Sequence, residues 1–92
     1  MIKYVYASKN KLSGNFNAPM CHDFPEDAAA EAFTISARET PKEGLAAIKE
    51  LEVYFLGTYD TKTGLLVAPE NGVTFLVDLG VALNGGTSEK ES

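Results

Sequence analysis

The stretch Leu51-Glu-Val-Tyr-Phe-Leu-Gly-Thr-Tyr-Asp-Thr-Lys-Thr-Gly-Leu-Leu-Val67 decides the fold. Val53, Tyr54, Phe55, Thr58 and Tyr59 are β-branched or aromatic, the side chains that fit a pleated surface. Asp60 to Gly64 is a polar connector closing on glycine, so the segment predicts two antiparallel strands joined by a short turn. Gly64 suits the turn position that takes a positive φ, where a Cβ would clash with the backbone. Strict alternation puts Val53, Phe55 and Tyr59 on one face and Tyr54, Leu56 and Thr58 on the other. A lone hairpin is marginal in water, so one of these sets must be covered by the rest of the chain.

Working outward, Ile2 to Ala7 alternates with a period of two and predicts a first strand. Ser8 to Asn17, rich in Ser, Asn, Lys and Gly, reads as an exposed loop. Ala18-Pro19-Met20-Cys21 is a candidate second strand that begins at Pro19 or lies at a sheet edge, because proline has no backbone donor. Asp23-Phe24-Pro25-Glu26 has the form of a capping box and predicts a helix from Phe24 to about Arg38. Ala29, Ala30, Phe33 and Ala37 form its apolar face. Ile35 falls off that face, either as a partly exposed aliphatic or as a subunit contact.

Thr40-Pro41-Lys42-Glu43 repeats the capping pattern before a short second helix to about Glu50, weakened by Gly44. Pro69 to Gly72 is a turn. Val73 to Leu83 mixes strand and helix signals, and a short strand at Val73 to Phe75 passing into a helical turn is favoured. Residues 85–92 read as a disordered polar tail. The expected architecture is a single α+β domain over residues 1–84: a small antiparallel sheet of about four strands, with one main helix and a short second helix packed on one face.

The 92 residues suffice for one modest core without a disulfide or metal. The single cysteine, Cys21, excludes an intramolecular disulfide, and a reducing cytoplasm is expected. No segment approaches the roughly 20 apolar residues of a membrane span, and the amino terminus lacks a signal-peptide core, so a soluble protein is expected. The net charge of −5 argues against a protein that coats nucleic acid by charge alone. Its distribution is uneven: residues 1–22 hold Lys3, Lys9 and Lys11 and no acid, whereas residues 23–92 hold all 13 acids against five bases.

Few residues suggest chemistry. Cys21 and His22 are adjacent, but neighbouring strand residues point to opposite faces, and no further Cys or His completes a tetrahedral set, so no metal or cofactor is expected. Asp23 and Glu26 are accounted for by capping and Asp60 by the turn. There is no phosphate-binding glycine loop, nucleophile elbow or zinc pattern, and an enzyme is not expected. The basic segment offers more. Lys3, Lys9 and Lys11 can neutralise phosphates while an exposed face bearing Tyr4 and Tyr6 stacks on bases, the combination used by sheet-based single-strand binders. The plainer reading has the tyrosines in the core and the lysines as a solvated edge that deters aggregation. A symmetric homodimer, covering a sheet edge or Ile35, would double the phosphate contacts.

The order of features resembles the small non-structural protein, usually from the fifth open reading frame, of gokushoviruses, tailless single-stranded DNA bacteriophages of the microvirus family. The resemblance rests on the initial strand Ile2 to Ala7, Pro19-Met20, the Ala-rich helix from Ala28 to Arg38, and Val53-Tyr54-Phe55-Leu56-Gly57-Thr58-Tyr59-Asp60 followed by Thr63-Gly64. It covers most of residues 1–70. This chain departs from the pattern in having Ile48-Lys49-Glu50-Leu51 where members often carry Pro-Glu-Asp, and Tyr59 where they usually have Phe. The resemblance implies a non-enzymatic phage early protein in the cytoplasm of the bacterial host, absent from the virion. Such a protein would bind single-stranded DNA and regulate the switch from duplex replication to single-strand genome synthesis. The alternative is an acidic adaptor that engages a host or phage replication protein without touching DNA.

Overall fold

The computed structural model describes residues 1–84; the expected tail at 85–92 lies outside them. In chain order the elements are β1 (Ile2–Asn10), β2 (Met20–His22), α1 (Glu26–Arg38), a 3₁₀ turn (Lys42–Gly44), α2 (Leu45–Ile48), β3 (Leu51–Asp60), β4 (Leu66–Val67) and β5 (Thr74–Asp78). A helical turn over residues 79–84 follows. The α+β fold expected from the sequence is the one observed, with β5 bringing the antiparallel sheet to five strands.

The hairpin strand β3 is the centre of the sheet. Apart from Leu56, it pairs with β1 along its whole length on one side, from Ile2 opposite Asp60 to Asn10 opposite Leu51. Its other side is shared end to end by β5, opposite Glu52 to Phe55, and β4, opposite Thr58 and Tyr59. β2 closes the outer edge of β1, with Tyr4 opposite His22 and Tyr6 opposite Met20. β1 runs three residues further than its alternation predicts, because Ser8, Lys9 and Asn10 find backbone partners in Val53, Glu52 and Leu51. Asn10 then turns the chain, its Oδ1 accepting from the amides of Leu12 and Ser13.

One face of the sheet carries the core. Tyr6, Val53 and Phe55 are buried with Ala29 and Ala37 of α1 and with Leu79, and Phe33, Ile48, Leu51 and Val77 pack around them. The alanines let α1 approach the sheet closely, and each large apolar side chain so buried contributes about 1.5–3 kcal/mol. The faces are not those of strict alternation, however. Between Val5 and Tyr6 the register shifts, so that Tyr6 faces Phe55 while Tyr4 faces Thr58. The extra residue is a β-bulge at Leu56 and Gly57, and Gly57 has a φ of 144°. Beyond the bulge the sides exchange, placing Thr58 rather than Tyr59 beside Tyr4.

The helix starts also differ. α1 begins at Glu26 with Pro25, which has no side-chain donor or acceptor, at the N-cap; Asp23 lies two residues before the cap, and its carboxylate pairs with Lys3 instead. Thr40 does not cap the next turn either; its hydroxyl bonds back to the Ser36 carbonyl at 3.5 Å, and residues 42–44 form a 3₁₀ turn before α2 ends at Ile48.

Candidate nucleic-acid interface

The sheet face opposite the helices carries the alternate residues of β1 and β3, of which Val5, Ala7 and Gly57 are buried and Lys3, Lys9, Glu52, Tyr54 and Tyr59 partly exposed. Lys9 stands opposite Glu52, Ala7 opposite Tyr54 and Lys3 opposite Tyr59, while β5 adds Phe75 opposite Tyr54 and Asp78 opposite Glu52. Phe16, in a bridge with Lys9, joins them from the segment that returns along β1. The result is a row of three rings. Phe16 meets Tyr54 edge to face at 5.2 Å, and Tyr54 meets Phe75 edge to face at 5.6 Å. The Lys9 ammonium lies 5.6 Å from the Phe16 ring centre and 5.8 Å from that of Tyr54. Phe16 and Phe75 keep 47% and 51% of their surface exposed, so the rings are accessible from outside.

Tyr54 is tied at its far end, where its hydroxyl donates to Glu52 Oε1 at 3.1 Å. Partial burial and the Glu52 carboxylate both push its phenol pKa up. Among the described residues Lys9 has no carboxylate within ion-pairing distance, which sets it apart from the other two lysines of the basic segment. Lys3 pairs with Asp23. Lys11 pairs with Asp78 at 2.9 and 3.1 Å. Burial pushes the Asp78 carboxyl up, but the hydrogen bonds from Lys11 and from the amides of Val81 and Gly80 outweigh it and hold the pKa low. The hydrogen bond to Asp78 raises that of Lys11.

The site expected from the sequence is therefore only partly assembled. Lys3 and Lys9 share the open face but stand six residues apart on β1, roughly 20 Å at about 3.3 Å per residue. Lys11 lies past the strand end. Tyr4 and Tyr6 are on the covered face, which corrects the stacking role expected for them. Tyr6 is 0% exposed, and its hydroxyl donates to the Phe24 carbonyl at 2.7 Å. It is ringed by Phe24, Phe33 and Phe55, and its pKa is pushed up to about 12, chiefly by burial. Tyr4 is half-buried against the same core. Ile35 is 46% exposed on α1. The residues that sequence reasoning missed are Phe16, Tyr54 and Phe75. Tyr54 was readable as one face of β3, but Phe16 stood in an apparent loop and Phe75 at a strand end, and only pairing brings them together.

Next to the rings the same face holds an apolar groove of about 290 Å³. Gly57 lines it with Val5, Pro19, Leu56, Leu66, Val67 and Ala68. On the covered side a second cavity of about 290 Å³ opens between α1 and the sheet, with Phe33, Ile48, Val53 and His22 among its walls. His22 stacks on Phe24 at 4.6 Å and meets Phe33 edge to face at 5.5 Å, and its buried Nε2 has no hydrogen-bond partner among the described residues. Its ring is thus packing material of the aromatic cluster. Among the described residues no three His, Cys, Asp or Glu side chains gather as a metal site, and no helix is long and apolar enough to cross a membrane. Comparisons of the chain with protein-family models, with curated proteins and with solved structures return no match.

Proposed function

We propose that this chain is a non-enzymatic protein that binds single-stranded DNA on the open sheet face, and that it acts in phage genome replication at the switch to single-strand synthesis. The observation that carries the binding reading is the Lys9 ammonium seated over Phe16 and Tyr54, with Phe75 continuing the row. Exposed rings supply stacking surfaces that accept any base, and one unpaired ammonium beside them meets a phosphate. The replication role rests on the resemblance of the Val53 to Gly64 segment to the gokushovirus non-structural proteins. Stacking, rather than charge, supplies most of the affinity, because Lys3 and Lys11 are held by Asp23 and Asp78 and the body is acidic.

Fluorescence anisotropy of a labelled single-stranded oligonucleotide tests this. Binding at low salt is expected, with a slope of log affinity against log salt near −0.7, the value of about one neutralised phosphate on a single strand. The double variant Phe16→Ala/Phe75→Ala should abolish it. Absence of binding at low salt favours the second reading, an acidic adaptor for a host or phage replication protein. The observation on its side is the 67% exposure of Leu66 beside the apolar groove, a surface that a protein partner would also cover.

A further inference from the structure

We propose that β4 is the edge through which two copies of this chain join: it pairs antiparallel with β4 of a second copy, Leu66 opposite Leu66, and makes one sheet of two. This does not depend on DNA binding.

β4 is the outermost strand on its side of the sheet and pairs only with β3. Leu65, Leu66 and Val67 are 61%, 67% and 52% exposed, so three consecutive aliphatic side chains stand mostly in solvent. From Gly64 to Pro69 the chain carries no charge, and this edge lacks the lysines or inward-pointing charges that keep edge strands apart. The other edges are blunted. β2 is entered through Pro19, and β5 is broken by a bulge at Leu76, where Val53 faces Val77 and Tyr54 faces Phe75.

The hydrogen-bond pattern fixes the register. The Asp60 amide donates to the Leu65 carbonyl at 3.0 Å. Bonded and non-bonded pairs alternate along an antiparallel ladder, so Leu66, opposite Tyr59, directs its amide and carbonyl away from β3. Two such outward residues satisfy each other by exchanging both bonds across a two-fold axis, which centres the pairing on Leu66. The side chains then match. Leu66 lies beside Leu66 on one face, and Leu65 stands opposite Val67 of the second copy, twice, on the other. The same register carries Lys62, at the hairpin tip, towards Glu70 of the second copy, also twice. Both residues are exposed, and among the described residues neither has an ion-pair partner in its own chain. One alignment thus answers an outward backbone pair, three exposed aliphatics and two opposite charges, which is why the occupant is a second copy and not an unrelated chain. The two-fold axis stands perpendicular to the sheet, so the open faces of both copies look the same way.

Sedimentation velocity over rising chain concentration tests this. The contact is short, so a weak dimer is expected, forming below about 1 mM. Lys62→Glu and Glu70→Lys each set like charges together at both ends of the pairing and should each weaken it about tenfold; the double reversal should return it to within about twofold of native. Leu66→Pro removes the amide at the centre and should abolish the dimer, while the fold, followed by far-ultraviolet circular dichroism, is kept because that amide makes no bond to β3. The charge variants, at exposed turn positions, carry the test whatever Leu66→Pro does to folding. A chain that stays monomeric up to about 1 mM overturns the proposal and returns this edge to the adaptor reading. A dimer that Lys62→Glu leaves unchanged, or that the double reversal fails to restore, overturns it as well. Oligonucleotide binding enters none of these outcomes, so its failure leaves the dimer standing.

Discussion

Gly57 and Gly64 both have positive φ, at 144° and 77°, yet replacing them with alanine should have different consequences. At Gly64, in the β3–β4 turn, an added Cβ meets nothing within 4 Å. Gly64→Ala therefore bears only the conformational cost of a side chain at positive φ, about 1–2 kcal/mol. At Gly57 the same atom would lie 2.2 Å from the Val67 carbonyl oxygen and 3.2 Å from the Ala68 Cα. These are main-chain atoms and cannot swing aside, so β4 itself must move. It is held to β3 through only two residue pairs, Thr58 with Val67 and Tyr59 with Leu66, and displacing it forfeits one or two backbone hydrogen bonds at about 1 kcal/mol each. Gly57→Ala is therefore expected to cost about 3–4 kcal/mol in all, a large part of the stability of a small domain. Urea denaturation of the two variants beside the native chain, followed by far-ultraviolet circular dichroism, measures the difference. If Gly57→Ala destabilises no more than Gly64→Ala, the close passage of Val67 over the bulge is not an obstacle, and the groove built on it loses its floor.

Tyr6→Phe removes the hydroxyl that satisfies the Phe24 carbonyl and should cost about 1–2 kcal/mol in the same urea titration, without changing oligonucleotide binding. Tyr54→Ala should weaken single-strand binding by about 1–3 kcal/mol, whereas Tyr54→Phe, which keeps the ring, should bind as the native chain does. Lys11→Met tests the pairing with Asp78 through pH. The lowered Asp78 pKa stabilises the fold above its unfolded value of 3.8, and this is lost as pH falls through the folded value. The raised Lys11 pKa stabilises below 10.5, and this is lost as pH rises through its folded value. The stability gap between native and variant should thus be level from about pH 4 to 10 and close on both sides, as measured by urea midpoints across pH.

The strands, the turn at Gly64 and the Ala-rich helix were legible because each rests on local preference: alternation, β-branched and aromatic content, a glycine where φ must be positive, small residues at helical spacing. The same local reasoning overstated the caps. Asp23 and Thr40 sit in capping-like sequence patterns, but α1 starts only at Glu26 and leaves Asp23 to pair with Lys3, and Thr40 bonds back to α1. It also divided β3 by strict alternation, which holds only as far as Leu56.

By itself, then, the sequence determined that a β3-centred antiparallel sheet would carry helices on one face, since that follows from periodicity along the chain. Tertiary structure alone decided which face is covered and which is open. The bulge at Gly57 exchanges the sides of β3 beyond it, α1 covers the face bearing Tyr4 and Tyr6, and strand pairing draws Phe16 and Phe75 to either side of Tyr54. The carboxylates that pair with Lys3 and Lys11 lie 20 and 67 residues away. Neither a register shift nor an ion pair across such separations leaves a periodic trace, because both are set by where distant backbone segments meet and not by the preferences of the residues themselves.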